Sequence, residues 1–260
     1  MNLDVISALV LTYNEAPNIA RCLNALAWVP RILVIDSGST DDTVSICNQF
    51  PNVSVMDRQF DNHTSQWNFG LEKTTGLWVL CLDADYICPL GLRQELESLE
   101  PFCDAYFAGF RYLINSQPLK STLYPPRAIF FRKDRLRYVA DGHTQLLDVT
   151  GVKTDFLKSV VDHDDRKPLS RWLSSQVKYA SLEAEKLMTT PSAQLGWKDR
   201  LRLRIIIAPV LTVIYCLFAK RLILDGLPGL FYTLQRCYAE LLLLLELLDR
   251  KLCRKSKNQQ

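Results

Sequence analysis

The sequence predicts an α/β fold in which a largely parallel, doubly wound sheet is flanked by helices. Short apolar runs alternate with helical stretches over the first hundred residues, polar and acidic residues follow several of those runs, and aromatic and β-branched segments take over from residue 105. Alternating strands and helices form parallel sheets, whose ligands bind at the carboxyl ends of the strands. We therefore expect a site where those polar residues lie.

Four strands and four helices are predicted in alternation over the first hundred residues. Apolar runs at 5–11, 31–35, 53–56 and 77–82 predict the strands, and the stretches 18–26, 41–50, 65–73 and 90–99 predict the helices. Thr40 is a good start for the second of these helices, and Pro89 precedes the fourth. This order favours right-handed crossovers and a parallel sheet.

The next segment, 105–161, has a different texture. Its aromatic and β-branched runs are broken by Pro118, Pro125, Pro126 and Gly142, which predicts an antiparallel or mixed extension that completes the sheet. Residues 169–188 then predict an amphipathic helix, because Leu173, Val177, Ala180, Ala184 and Leu187 recur at spacings of three and four.

The C-terminal region from residue 197 is rich in apolar residues but is interrupted by charge. Its uncharged runs, 205–219 and 226–235, are shorter than the roughly 18 residues of a spanning helix. Two helices, at 199–224 and 228–251, are therefore predicted to lie in or on a membrane surface. The alternative is that they pack on the domain or form a dimer. Basic residues flank them, at Lys198, Arg200, Arg202 and Arg204 before and Arg250, Lys251, Arg254, Lys255 and Lys257 after.

Composition and charge exclude several classes of protein. The 260 residues are 48% hydrophobic and 23% charged, as in ordinary globular domains, and the net charge of +3 is too small for a chain devoted to nucleic acid. Eight scattered cysteines show no metal spacing and predict buried thiols in a reducing compartment. No secretion signal is evident, so the active part is expected in the cytosol.

Polar clusters follow three of the predicted strands. They are Thr12-Tyr13-Asn14-Glu15 after the first, Asp36 to Thr43 after the second and Asp83-Ala84-Asp85 after the fourth. Each cluster alone also fits a helix start or a turn. Three of them on one sheet edge favour a binding site.

The pair Asp83 and Asp85 has a specific chemical interpretation. Alternate residues of an extended chain point the same way, so both carboxylates can face one hard divalent cation shared with a diphosphate. Mg²⁺ or Mn²⁺ would neutralise the charge that develops on a departing nucleoside diphosphate.

These motifs together resemble the family-two inverting glycosyltransferases of the GT-A fold. The resemblance covers about the first hundred residues and rests on Thr12 to Glu15, the string Asp36-Ser37-Gly38-Ser39-Thr40-Asp41-Asp42-Thr43, Gln66-Trp67-Asn68 and Asp83-Ala84-Asp85. A looser similarity to the bacterial lipopolysaccharide-core β-glucosyltransferase branch involves Pro126-Arg127, Phe131-Arg132-Lys133, Asp141-Gly142-His143, His163, Asp225-Gly226 and Gly229.

The resemblance implies roles for individual residues. Thr12, Tyr13 and Glu15 would lie along the nucleotide base and ribose, Asp36 would accept a hydrogen bond from the base, and Asp83 and Asp85 would hold the ribose and the metal-diphosphate. His163 would be either a third metal ligand or an ordinary surface histidine.

The catalytic base and the acceptor contacts are assigned to the later motifs. Inverting transfer needs one carboxylate to remove the acceptor proton. Asp141 is the first candidate, Asp148 and Asp164 are the alternatives, and His143, Gln145 and Arg127 are predicted acceptor contacts. The branch often carries His-Glu where this chain has His143-Thr144.

Function and organisation follow from these points. We expect a metal-dependent hexosyltransferase that moves a sugar from a nucleotide-diphospho-sugar, such as a UDP-sugar, to a membrane-associated glycan or lipid-linked acceptor. The acceptor would belong to cell-envelope or lipopolysaccharide synthesis. The enzyme is expected to be a peripheral protein on the cytoplasmic face of the inner membrane. The alternative is a catalytically impaired sugar-nucleotide-binding or membrane scaffold protein. A homo-oligomer stays open.

Two other enzyme classes lack their glycine motifs here. A nucleotidyltransferase would carry a glycine-rich loop after strand one, and a dehydrogenase would carry Gly-x-Gly-x-x-Gly.

The expected segments are a catalytic domain at 1–165, divided into a nucleotide-sugar half (1–100) and an acceptor half (101–165), a helix and linker at 166–196, and C-terminal helices at 197–260.

Overall fold

The chain divides into two compact units. The computed structural model describes residues 1–141, 144–203 and 207–257. The first unit, the catalytic unit, comprises Met1–Pro118 and Tyr124–Lys167, and the second, the helical unit, comprises Leu119–Leu123 and Pro168–Gln260. The amphipathic helix that the sequence assigned to a separate linker segment is thus grouped with the C-terminal helices.

The catalytic unit contains the four strands and four helices predicted for the first hundred residues, and it adds a short strand, β5 (Tyr86–Ile87), that was not predicted. In chain order they are β1 (Ile6–Thr12), α1 (Ile19–Ala25), β2 (Ile32–Asp36), α2 (Thr43–Cys47), β3 (Val53–Asp57), α3 (His63–Lys73), β4 (Trp78–Asp83), β5 (Tyr86–Ile87) and α4 (Leu90–Ser98). The helix α2 begins at Thr43, later than expected, after a turn in which the Asp41 carboxylate accepts a hydrogen bond from the Thr43 N–H at 3.0 Å.

The second half of this unit is built from strands. They are β6 (Ala105–Ile114), β7 (Gln117–Pro118), β8 (Arg127–Arg132), β9 (Tyr138–Asp141), β10 (Thr144–Leu147) and β11 (Thr154–His163). In the described residues they join a nine-stranded sheet of order β3-β2-β1-β4-β8-β6-β11-β5, with β7 paired to β6, while β9 and β10 form a separate hairpin.

The sheet is parallel in its first half and mixed in its second, as expected. β3, β2, β1 and β4 run parallel, whereas β8 is antiparallel to both β4 and β6. The register places Thr12 beside Asp36, and Leu11 beside Asp83. The strands following β1 lie on both sides of it, and this reversal leaves a crevice at the carboxyl edge.

Apolar side chains cover both faces of the sheet. Ile6, Ala8 and Val10 of β1 belong to one buried cluster, and Leu9 belongs to the other with Trp67 of α3. A strand buried on both faces is typical of a doubly wound sheet. Of the eight thiols predicted to be buried, six are buried, whereas Cys237 is half-buried and Cys253 is exposed.

The helical unit contains α5 (Leu169–Thr189), α6 (Trp197–Arg202), α7 (Ile207–Ile214), a π-helical turn (Tyr215–Ala219), a 3-10 turn (Leu222–Asp225) and α8 (Gly226–Lys257). Ala184 and Leu187 of α5 pack with Leu243 and Leu247 of α8 in a buried cluster. Val177, predicted to face inward, is 51% exposed.

The single helix predicted at 199–224 is wrong. In the described ranges α6 ends at Arg202, and the helical path through α7 and the π-helical turn ends at Ala219, because Arg221 takes a positive φ of 57°. Arg202, predicted to serve a lipid surface, instead pairs with Glu240 at 2.7 Å and Glu183 at 3.5 Å.

Length and composition limit which helices of the described ranges could cross a membrane. None of the helices there could cross a bilayer singly, whereas Ile207–Ala219 and Leu222–Cys253, bent by 70°, meet the requirement as a pair.

Candidate active site

The ends of β1 and β2 are joined by a buried hydrogen bond. The Thr12 hydroxyl donates to Asp36 Oδ1 at 2.9 Å, and Asp36 is only 3% exposed. Asp36 Oδ2 also accepts from the backbone N–H groups of Gly38 and Ser39, and Oδ1 accepts from the Ser39 hydroxyl. Both oxygens of Asp36 therefore stabilise the loop after β2 by accepting hydrogen bonds from it. Contact between Asp36 and a nucleotide base stays a prediction.

The loop after β1 is fastened to the same motif. Asn14 adopts a positive φ of 53°, and its side-chain oxygen accepts from the Thr40 N–H at 2.7 Å, while the Glu15 N–H donates to the Thr43 hydroxyl oxygen at 2.7 Å. Tyr13 is 50% exposed. The long motif thus fixes the two loops, and the exposed Tyr13 ring has the surface that a nucleotide base needs for stacking.

A second cluster of charges surrounds Glu15. Lys167, which follows β11, donates to Glu15 Oε1 at 2.5 Å and lies 3.3 Å from Asp165 Oδ1. The Asn18 amide donates to Glu15 Oε2 at 2.8 Å and to Asp165. Burial raises the pKa of Glu15 to about 7, although the Lys167 ammonium opposes this shift, and the charge on Asp85 adds to it.

Asp85 and His163 lie close together in the catalytic unit although 78 positions separate them along the sequence. Pairing of β5 with β11 places His163 beside Tyr86, and His163 Nε2 lies 3.2 Å from Asp85 Oδ2. Burial would raise the pKa of Asp85, but His163 and Lys167 outweigh it and hold that pKa below its ordinary value. Asp85 is therefore ionised at neutral pH. The surface alternative for His163 is wrong, because its side chain is only 12% exposed.

One oxygen of this buried carboxylate lacks a protein partner. Asp85 Oδ1 and His163 Nδ1 are both buried, and neither has a hydrogen-bond partner among the described residues. Leaving a buried anionic oxygen unpaired is costly, so such atoms are commonly satisfied by a cation or a ligand.

A divalent cation fits this pair. Asp85 and His163 would hold it, with positions left for donor phosphate oxygens, and it would neutralise the charge of the leaving diphosphate. In the described ranges no three His, Cys, Asp or Glu side chains converge as a ready cation site. The predicted joint ligation by Asp83, Asp85 and His163 is therefore not preformed.

Aromatic residues and an arginine lie within range of the Asp83 charge. This charge acts on Tyr86, Tyr124 and Arg127. The Arg127 guanidinium stands 5.0 Å from the centre of the Tyr124 ring, and Arg127 Nε is buried with no partner among the described residues. Arg127 is thus a cation with unused donor capacity close to Asp83.

The loop after β11 is anchored by a buried ion pair. Asp164, 1% exposed, accepts from Arg21 at 2.8 Å and from Arg166 at 2.9 Å, and its N–H donates to the Asp85 carbonyl oxygen. This anchor fixes His163 and Lys167. It also makes Asp164 a poor proton acceptor, so the geometry disfavours it as the alternative base.

The predicted base and acceptor residues lie around the β9–β10 hairpin. Asp141 is the last residue of β9, and its side chain lies outside the described residues, as does the whole of His143. Gln145 in β10 pairs with Ala140. The alternative base Asp148 accepts a hydrogen bond from the Thr150 N–H. The hairpin contacts α3 through Asn68, whose amide bonds both backbone polar groups of Tyr138.

Sequence analysis missed Lys167, Asn18 and Tyr124. Lys167 reaches Glu15 across 152 positions. The acidic and basic run from Asp162 to Lys167 marks a charged loop, but no local pattern names its partners.

Residues 7–150, more than half of the chain, match the family described as Glycosyl transferase family 2. Curated relatives match over shorter segments, and this chain spans about a third of the length of the first of them. One is the "Lipopolysaccharide core biosynthesis glycosyltransferase LpsC" of Rhizobium meliloti, 28% identical over 36% of this chain and 36% of LpsC.

Two solved structures share the fold. The mannosyltransferase PcManGT from Pyrobaculum calidifontis, in complex with GDP-Man and Mn²⁺, is 16% identical with a TM-score of 0.54, covering 95% of this chain and 87% of its own. Residues 1–349 of S. aureus TarS, in complex with UDP-GlcNAc, are 16% identical with a TM-score of 0.53, covering 90% and 79%. At these identities the likeness establishes the fold alone.

Proposed function

Because the chain belongs to glycosyl transferase family 2, we propose that it moves a sugar from a UDP-sugar, with inversion and with the help of Mg²⁺ or Mn²⁺, to a hydroxyl of a membrane-associated glycan or lipid-linked acceptor. The acceptor belongs to cell-envelope polysaccharide or lipopolysaccharide synthesis. The enzyme works on the cytoplasmic face of the inner membrane.

The observation that carries this proposal is Asp85 Oδ1 at the carboxyl edge of the sheet, which lies beside His163 and has no partner in the part of the chain that the structure describes. An ionised, buried carboxylate with a spare oxygen suits a cation shared with a diphosphate. PcManGT supports metal use because its structure contains Mn²⁺, and TarS supports a uridine donor because its structure contains UDP-GlcNAc. LpsC supports a lipopolysaccharide acceptor through its name.

The proposed reaction needs one proton transfer. The acceptor hydroxyl attacks the anomeric carbon from the face opposite the diphosphate, and Asp141 takes its proton. The bond between the anomeric carbon and the phosphate oxygen breaks, and the nucleoside diphosphate departs as an anion. Arg127, whose buried Nε has no partner among the described residues, would bind an anionic group of the acceptor, and the exposed Tyr13 ring would stack on the base.

A transfer assay tests the proposal. We expect the purified protein, with Mn²⁺ or Mg²⁺, to transfer sugar from one member of a panel of nucleotide sugars to bacterial lipid extract, as measured by mass spectrometry. An anomeric product opposite in configuration to the donor is expected. UDP binding without transfer to any acceptor would instead favour the impaired, sugar-nucleotide-binding alternative.

Membrane association is proposed from the surface of the helical unit. Large apolar side chains stay exposed along α7, the two turns and the start of α8, among them Val210, Ile214, Phe218, Leu224, Leu227 and Leu234. Soluble proteins rarely leave so many neighbouring apolar side chains in water. Lys220 and Arg221 lie at the break between the helices, where an anionic leaflet would attract them by on the order of 1 kcal/mol each.

A paired variant tests this surface. Phe218→Asp with Leu227→Asp should lower co-sedimentation with anionic liposomes by at least about tenfold, since both side chains are exposed, at 62% and 81%, and burial of each is worth about 1.5–3 kcal/mol. Leu90→Asp, 96% exposed in the catalytic unit, is the matched control and should bind normally. If the unaltered chain ignores liposomes at low and high salt, the helices form a packing or dimer element.

A further inference from the structure

The short segment 119–123 belongs by its contacts to the helical unit, although the chain on both sides of it belongs to the catalytic unit. It follows β7 and leads directly into Tyr124 and β8. We call residues 119–123 the strap.

Three hydrogen bonds fasten the strap to the start of α8 and the turn before it. The Lys120 N–H donates to Asp225 Oδ2 at 3.0 Å. The Leu123 N–H donates to the Tyr232 hydroxyl oxygen at 3.0 Å, and that hydroxyl also bonds the Thr122 hydroxyl at 3.0 Å. Tyr232 is 1% exposed and Leu119 is 4% exposed, so the attachment to Tyr232 is largely buried, whereas the hydrogen bond between Lys120 and Asp225 is exposed.

Asp225 and Tyr232 are themselves held by a tight turn. Gly226 has a φ of 60°, and a side chain at Gly229 would meet the Leu222 carbonyl oxygen at 1.9 Å. Only glycine allows this close approach without a backbone shift. The Asp225-Gly226 and Gly229 motif therefore forms the turn from which Asp225 binds the strap.

The residue after the strap is part of the candidate active site. The Tyr124 ring packs against the His163 ring at 4.9 Å and against Phe110 at 5.1 Å, and it lies beneath the Arg127 guanidinium. The position of the Tyr124 backbone therefore affects how its ring packs against His163, a predicted metal ligand, and against Arg127, a predicted acceptor contact.

We propose that Asp225 and Tyr232 are positioning residues for the active site, which act by fixing the strap and hence the placement of Tyr124 against His163 and Arg127. The strap can transmit this restraint because Leu123, whose N–H bonds Tyr232, is covalently joined to Tyr124. The effect on the rate of sugar transfer rests on the proposed function, whereas the effect on the placement of Tyr124 does not.

Tyr232→Phe tests the proposal by removing the hydroxyl and keeping the buried ring. We expect hydrogen exchange to quicken at Lys120 and Leu123 and also, by at least about threefold, at the amides of Tyr124, Arg127 and Ala128. The kcat/KM for the acceptor should fall by about tenfold, while affinity for UDP without metal stays within about twofold. Tyr238→Phe, on the same helix, is the matched control and should change none of these.

Exchange at Tyr124, Arg127 and Ala128 decides the outcome. If faster exchange stops at Leu123, the strap is only a local attachment and the proposal is overturned. Thr122→Val, which leaves α8 untouched, should give a smaller change in the same direction and covers the case in which Tyr232→Phe fails to fold. If the unaltered chain transfers no sugar, the proposed function fails, and the exchange result still judges the strap.

Discussion

Replacement of Asp85 by alanine should remove the metal-dependent part of UDP affinity and lower turnover by on the order of a hundredfold or more. A cation at a departing diphosphate supplies several kcal/mol of transition-state stabilisation, and each ~1.4 kcal/mol is a factor of ten in rate. We expect this role for Asp85 because its Oδ1 is buried with no partner among the described residues, while Oδ2 faces His163.

Calorimetry of UDP with Mn²⁺, with Mg²⁺ and with a chelator measures this effect. Asp134→Asn, which alters an exposed carboxylate paired with Arg132, is the control and should bind like the unaltered protein. The Asp85 variant should retain the weak, metal-independent binding. Equal UDP affinity with and without metal in the unaltered protein would contradict the assignment of Asp85.

Asp141→Asn should lower turnover by about two to four orders of magnitude, the range for loss of a general base, while donor binding is preserved. Asparagine has nearly the shape of aspartate but cannot accept the acceptor proton, so the effect should fall on kcat. Asp141 ends β9, in the hairpin that Asn68 ties to α3.

Single-turnover kinetics with saturating donor measure this step directly. Asp148→Asn is the matched control, since Asp148 is the remaining alternative base once Asp164 is committed to Arg21 and Arg166. Intact turnover in the Asp141 variant combined with a large loss in the Asp148 variant would move the base to Asp148.

Much of the catalytic unit could be predicted from local sequence pattern. Strands β1 to β4 lie within one or two residues of the predicted runs, because a strand buried on both faces needs a continuous apolar run. The strand-end clusters were also predictable, since the carboxyl ends of parallel strands meet at one edge. Thr12 and Asp36 accordingly bond each other.

The tail was predicted less well, for a physical reason. Apolar periodicity indicated helices but did not reveal the turn near Arg221, because a positive φ at a non-glycine residue is uncommon and depends on its surroundings. The pattern likewise did not reveal that Arg202 forms ion pairs with Glu183 and Glu240.

The sequence by itself determined the sheet, its active edge and the acidic motif, since each depends on spacings of a few residues. Only the tertiary structure decided that Lys167 reaches Glu15, that His163 meets Asp85, and that Tyr232 grips the strap. These pairs are separated by 152, 78 and 109 positions along the sequence, and contacts at such separations arise when packed elements bring charges together, which no local periodicity records.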